Sequence, residues 1–328
     1  MRPLIAILLW LAATAAAQER LSWPTESKEF ANGAPYAEFI QPTASGAPES
    51  GLFGDVRNGG YKFHEGIDIK SVRRDRKGEP LDDILCAMDG VVKCVNRIGG
   101  NSGYGRYIVV SHPQLDVEVY TLYAHLAEID AAAVPGAAVK SGQRLGKMGR
   151  SANYGIGKQQ AHLHFEIGLR ISDSFETWYR SKRYKERNFF GNYNGMNLTG
   201  FDPLEFFQKA AAGKISNGIA KHISDMPTAF VARVYTKKTP DFAKMYPALC
   251  DMSGHSGAWD IHMTWFGLIK KMERPKEISK SWREGDVEII KVNPAELNRK
   301  CRKMLIKNRK GEYKPNEAFK EFLRAVFI

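Results

Sequence analysis

His162-Leu163-His164-Phe165-Glu166-Ile167 alternates polar and apolar residues without a break. A strand has a side-chain period of two, so His162, His164 and Glu166 share one face and Leu163, Phe165 and Ile167 the other. One face is built to pack, and the other holds two imidazoles and a carboxylate. Working outward, short apolar runs alternate with Gly, Asp and Asn turn signals from Gly51 onward. Residues 84–87 and 91–96 flank the Asp89-Gly90 turn, 107–111 is β-branched, and 117–123 follows Pro113. Gly99–Gly105 is a glycine-rich loop, and Gly136, Gly142, Gly146 and Gly149 punctuate tight turns. This texture predicts a mainly β, antiparallel domain over residues 51–208, with no long helix before about residue 201.

A second stretch answers the first. In His64-Glu65-Gly66-Ile67-Asp68, His64 and Asp68 lie on one strand face across Gly66, which has no side chain to block an ion between them. A third, Tyr123-Ala124-His125-Leu126, ends a strand with one more histidine. Two neutral nitrogens and one carboxylate, with a position left open, are what catalytic zinc requires. Such an ion lowers the pKa of a bound water toward neutrality. No His-Glu-x-x-His helix is present to supply a glutamate base. The candidates for moving protons and steadying an oxyanion are therefore His162 and His125.

At these three stretches the sequence resembles the lysostaphin and LytM type of zinc metallopeptidase, marked by HxxxD, a YxH-like histidine and HxH. Here they read HEGID, YAH and HLH, supported by CAMDGVV, GYGRYIVVSH and GRSANYGIGKQQAHLHFEI, and by Asp202-Pro203-Leu204 as a closing segment. The resemblance spans roughly Gly51 to Phe207. It implies that His64, Asp68 and His164 hold one Zn2+ and that His162 and His125 are the catalytic pair. It also implies a LytM-like groove of antiparallel strands and a peptidoglycan cross-link as substrate. The chain departs from the pattern in Gln160-Ala161 before the HLH, in the long charged link 71–83, and in the insertion 171–200. That insertion reads either as a substrate-facing loop or as a flap packing its aromatics on the domain.

The flanks add context. Met1-Arg2, the apolar run Leu4–Ala13 and Ala15-Ala16-Ala17 form a secretory signal over residues 1–17, with no cysteine after it to take a lipid anchor. No later stretch is long enough for a membrane span. The expected location is therefore exported: periplasm, cell envelope or outside the cell. Nucleic acid is a poor partner there. Residues 18–50 read as an extended lead-in. Export allows disulfides, and Cys86 with Cys94, then Cys250 with Cys301, are the pairs considered against free buried thiols.

The formal charge of +12 falls almost wholly on residues 209–328. This basic C-terminal region is expected to be α+β: a strand at 230–235, helical stretches including 294–305, and an amphipathic helix at 316–327. Its cluster Arg299-Lys300-Cys301-Arg302-Lys303 reads either as attraction to anionic envelope polymers or as a solvated helix face. His255, Asp260 and His262 are weighed as a second metal site against ordinary packing among aromatics. A peptidase of peptidoglycan is the leading function. A non-catalytic envelope protein that regulates other wall hydrolases, and a secreted peptidase acting on foreign proteins, are the alternatives.

Overall fold

Leu163, Phe165, Ile167 and Leu169 are fully buried, and the strand that carries them, His162–Arg170, is an interior strand of the main sheet, one position in from its edge. The computed structural model describes residues 21–43, 45–278 and 281–328. The expected signal, residues 1–17, lies outside them. The main sheet has seven strands. Val119–Ala124, Tyr107–His112, Gly90–Asn96 and Ala138–Val139 extend from one side of His162–Arg170, all antiparallel. On its other side two strands share the edge: Ile67–Lys70 pairs with the first half and Leu198–Phe201 with the second. His164 therefore stands opposite Asp68 on one side and Ala124 on the other. A three-stranded sheet of Asp83–Leu85, Arg144–Lys147 and Glu128–Ile129 lies beside it. This is the antiparallel, mainly β architecture expected.

The HEGID stretch is not one continuous strand. Lys62–His64 pairs with Gly54–Arg57 as a hairpin, and Ile67–Lys70 joins the main sheet, with Glu65-Gly66 between them. Gly66 serves packing and not ion access. A Cβ there would lie 2.2 Å from the Phe165 carbonyl oxygen, so only glycine lets the chain pass this close to that interior strand. The charged link is fastened too. Buried Asp82 accepts hydrogen bonds from the Ser71 hydroxyl and from the Val72 and Arg73 amides. Arg74 donates to the carbonyls of Lys158 and Ala161, which holds the turn before the HLH.

All four cysteines are free. Cys86 and Cys94 lie in separate hydrophobic clusters, Cys86 with Ile84 and Tyr123, Cys94 with Tyr107 and Val109. A register shift between Val92 and Cys94 sends the Cys94 side chain to the opposite face of the sheet. The insertion contains a helix, Phe175–Ser181. Phe175, Trp178 and Tyr179 bury themselves against Ala325 of the C-terminal helix Glu317–Val326. Phe190 and Tyr193 pack with Tyr104 and Tyr107. The flap reading fits this placement.

Asp202 caps Pro203–Ala211, accepting from the Leu204 and Glu205 amides. Beyond it Phe230–Tyr235 is the strand expected there, and it is joined in a five-stranded sheet by Cys250–Asp251, Ile269–Glu273, Ala258–Met263 and Val287–Val292, which the sequence did not announce. Bulges in these strands, as at His262/Met263, break the period-two signal that would have announced them. The helix expected over 294–305 stops at Leu297, and Leu305–Lys307 is a strand paired with Tyr313–Pro315. The basic cluster between them stays exposed but folds back over the hairpin. Arg302 bonds Glu65 at 3.1 Å and covers Phe63, Lys300 donates to the Gly59 carbonyl, and Arg299 lies over Trp265. These side chains clamp the hairpin that carries His64.

Candidate metal centre

His64 enters the site from the hairpin end, Asp68 from an edge segment of the main sheet, and His164 from the interior strand beside it. Their atoms converge. His64 Nε2 lies 3.0 Å from His164 Nδ1, and Asp68 Oδ1 lies 3.1 Å from each nitrogen. Among the described residues this is the one group of three placed to hold a metal ion. Ligand atoms sharing a tetrahedral ion at about 2.0–2.1 Å lie roughly 3.3 Å apart, so the triangle fits such an ion with a face left open. His, His and Asp are also the donor types that suit zinc.

The outer nitrogens fix which lone pairs face inward. His64 Nδ1 lies 2.7 Å from the Leu52 carbonyl and His164 Nε2 lies 3.0 Å from Glu166 Oε1, so both are donors away from the site. Their inner nitrogens are turned on Asp68. Glu166 is itself held, accepting from the Tyr104 and Tyr120 hydroxyls at 2.6 and 2.9 Å. Asp68 keeps a second partner, Arg57, on its other oxygen. The electrostatics favour a cation. Burial works against a charge on the His164 ring, yet the Asp68 and Glu166 carboxylates outweigh it and push the ring up to about 9. Burial also opposes charge on Asp68, but the surrounding histidines hold it well below the usual carboxylate range.

His162 and His125 stand beside the triangle. His162 Nε2 lies 3.4 Å from Asp68 Oδ1, and its Nδ1 is fixed by the Gln160 carbonyl at 2.6 Å. His125 sits just past the strand Val119–Ala124 with φ of 63°, a left-handed backbone rare for a non-glycine residue. Its amide bonds the Tyr104 carbonyl and its Nδ1 the Ser151 carbonyl. Burial, then the neighbouring His162 and His164 rings, push it down to about 3, so it is neutral near pH 7. Both rings, with Asp68, line a cleft of about 300 Å³ that also includes Thr43, Arg57, Lys62 and Tyr154. No residue of the 171–200 insertion lines it.

The structure thus brings together all five side chains singled out in the sequence. It adds Glu166, Tyr104, Tyr120 and Arg57. Glu166 was signalled by its place on the histidine face of HLHFE; Arg57 and the tyrosines had no local signal. His255, Asp260 and His262 do not converge. Asp260 pairs with Arg233 at 2.7 Å, His262 with Glu273 at 2.8 Å, and His255 accepts from the Gly257 amide.

No curated protein matches the chain. Among solved structures, it is similar to a zinc-containing peptidase from Vibrio cholerae, at 27% identity over 32% of this chain and 26% of that one, with a TM-score of 0.25. It is also similar to a Ruminococcus gnavus protein assigned as a glycyl-glycine endopeptidase LytM, at 31% identity over 35% and 43%, TM-score 0.27. A third is the catalytic domain of the antimicrobial peptidase lysostaphin from Staphylococcus simulans, at 18% identity over 56% and 98%, TM-score 0.32. The chain spans about a quarter of the Vibrio protein and under half of the Ruminococcus one. Residues 62–174, which hold His64, Asp68, His125, His162 and His164, match the model of peptidase family M23, and the chain carries a domain of that family.

Proposed function

We propose that this chain is an exported zinc metallopeptidase that hydrolyses a peptide amide in the cross-links of bacterial peptidoglycan. The observation that carries the reading is the triangle of His64, Asp68 and His164 donor atoms, 3.0–3.1 Å apart, at the edge of a cleft that two further histidines share. His64 Nε2, Asp68 Oδ1 and His164 Nδ1 would hold one zinc ion, which when bound supplies Lewis acidity toward a carbonyl and acidifies water.

The chain's own groups do the rest. Leu52 and Glu166 fix the tautomers of the two ligand rings. His162, neighbour of Asp68, accepts the proton released as water adds to the scissile carbonyl. His125, its Nδ1–H held by the Ser151 carbonyl, steadies the tetrahedral oxyanion once its Nε2 has taken up a proton, and the two roles are interchangeable. The cleft, walled by Tyr154 and the Arg57–Lys62 hairpin, orients the peptide. Residues 51–208 form the peptidase part in this reading, and residues 1–17 direct export. No helix among the described residues is long and apolar enough to cross a membrane.

The test is digestion of purified sacculi by the zinc-loaded protein. Solubilisation should stop in EDTA and return with added zinc. Digestion that continues in chelator would overturn the mechanism. Zinc bound without any digestion would favour the non-catalytic envelope reading.

A further inference from the structure

The cleft beside the five-residue centre is electrically lopsided. Of the residues that line it, Arg57 and Lys62 are cations, and Asp68 is the one carboxylate. Asp68 is already engaged, by Arg57 on one oxygen and by the histidines on the other. The two cations are not placed at random. Arg57 and Lys62 are direct cross-strand partners in the hairpin of Gly54–Arg57 and Lys62–His64. Like charges directly opposite each other weaken a strand pair, so this arrangement is a cost to the hairpin unless an anion relieves it.

Arg57 is partly relieved by Asp68, and its Nε also donates to the Ser50 carbonyl at 3.1 Å. Lys62 has no hydrogen bond, ion pair or aromatic partner among the described residues. It is exposed and borders the same cleft as Asp68 and His162. The hairpin that bears it is held by the C-terminal region through Arg302 and Lys300, so its position relative to the site is fixed. A divalent ion on His64, Asp68 and His164 would make this end of the cleft more positive still.

Resting on the peptidase reading, we propose that Lys62, backed by Arg57, selects substrates that carry a free carboxylate beside the scissile amide. An ammonium on a flexible stem pairs with such a group as a point charge, within a cleft wall that excludes part of the solvent. Neutral peptides of the same length, such as oligoglycine, lack the group that this wall neutralises.

The test uses two synthetic cross-linked peptide dimers that differ only at the residue flanking the cleaved bond, one with its α-carboxylate free and one with that group as a carboxamide. The zinc-loaded full chain should favour the carboxylate dimer by about tenfold in kcat/KM, carried by KM, and the preference should shrink in high salt. Lys62→Met, which keeps the apolar stem, should bring the two dimers to within about twofold, and Lys62→Arg should restore the difference. Equal kcat/KM in the unaltered protein, or a preference untouched by Lys62→Met, would overturn the proposal.

Calorimetric binding of both dimers to zinc-loaded His162→Ala reads the same selectivity without turnover. Tighter binding of the carboxylate dimer supports the proposal, and equal binding overturns it. If neither dimer is cut while that binding preference holds, it is the hydrolase reading that fails.

Discussion

The imidazoles of His125 and His162 meet edge to face with centroids 4.8 Å apart, and each is anchored through Nδ1 to a backbone carbonyl, Ser151 for the first and Gln160 for the second. Anchoring at Nδ1 leaves Nε2 of each ring for chemistry. Substituting either ring should lower kcat by at least about 100-fold, the usual contribution of positioned acid–base groups. His125→Asn suits the first site, because asparagine tolerates the left-handed backbone. Zinc content by mass spectrometry should stay at the level of the unaltered protein. Loss of zinc along with activity would move that histidine from the catalytic pair to the ligand set.

The ligand triangle makes a different prediction. If His64, Asp68 and His164 hold zinc in the folded chain alone, excess zinc should raise the melting temperature. Asp68→Asn and His64→Ala should both abolish that rise. A melting temperature still raised by zinc in both variants would place the ion elsewhere.

Behind His164, the carboxylate of Glu166 and its two tyrosine hydroxyls hold the ring. Glu166→Gln should weaken zinc about 10- to 100-fold, as loss of such supporting bonds does elsewhere. Tyr104→Phe and Tyr120→Phe should each weaken it less, since one hydroxyl remains. Competition with a zinc-sensitive dye reads this directly; unchanged affinity in Glu166→Gln would show that the ring is held by packing alone.

Gly66→Ala should be among the most damaging single changes outside the site. Its methyl would collide with the Phe165 carbonyl and force apart the strands that bring Asp68 to His164. A loss of about 2–4 kcal/mol in denaturant unfolding is expected, together with weaker zinc binding. A stable variant with normal zinc affinity would mean that these strands tolerate separation.

His112 sets a pH dependence away from the metal. It is fully buried, with Nδ1 donating to the Asp89 carbonyl and Nε2 2.8 Å from the Thr121 hydroxyl. Burial pushes its ring down to about 4. The unfolded chain takes up this proton near 6.5, so between those values the unfolded state binds more protons. Stability should therefore fall as pH drops from 6.5 toward 4, by up to about 3 kcal/mol from this residue. His112→Gln should flatten that part of the melting-temperature profile; an identical slope would assign it to other groups.

The alternation in residues 162–167 was enough to place this interior strand, its packed face and three of the groups at the candidate metal centre. The period of a single strand carries that information locally. The partners of those groups were not legible, because they come from backbone carbonyls and from distant turns: Leu52, Ser151, Tyr104 and Arg57. Cys86 and Cys94 misled because a single bulge reverses the face of every residue beyond it. In the C-terminal region, strands with interrupted alternation carried little signal, and the run of positive residues is solvent-exposed as a charge run suggests, but it is not helical and folds back over aromatic rings.

That folding back has a mechanical meaning. Phe53 and Phe63 of the hairpin pack on Trp265 and Phe266, and Arg299, Lys300 and Arg302 lash the same hairpin down from above. A shortened version ending at residue 208 would keep every atom named in the chemistry and lose the splint that steadies one of its walls. It would also bare two phenylalanines to water, an invitation to clump. Through these contacts the tail of this chain braces the hairpin that leads into the triangle of His64, Asp68 and His164.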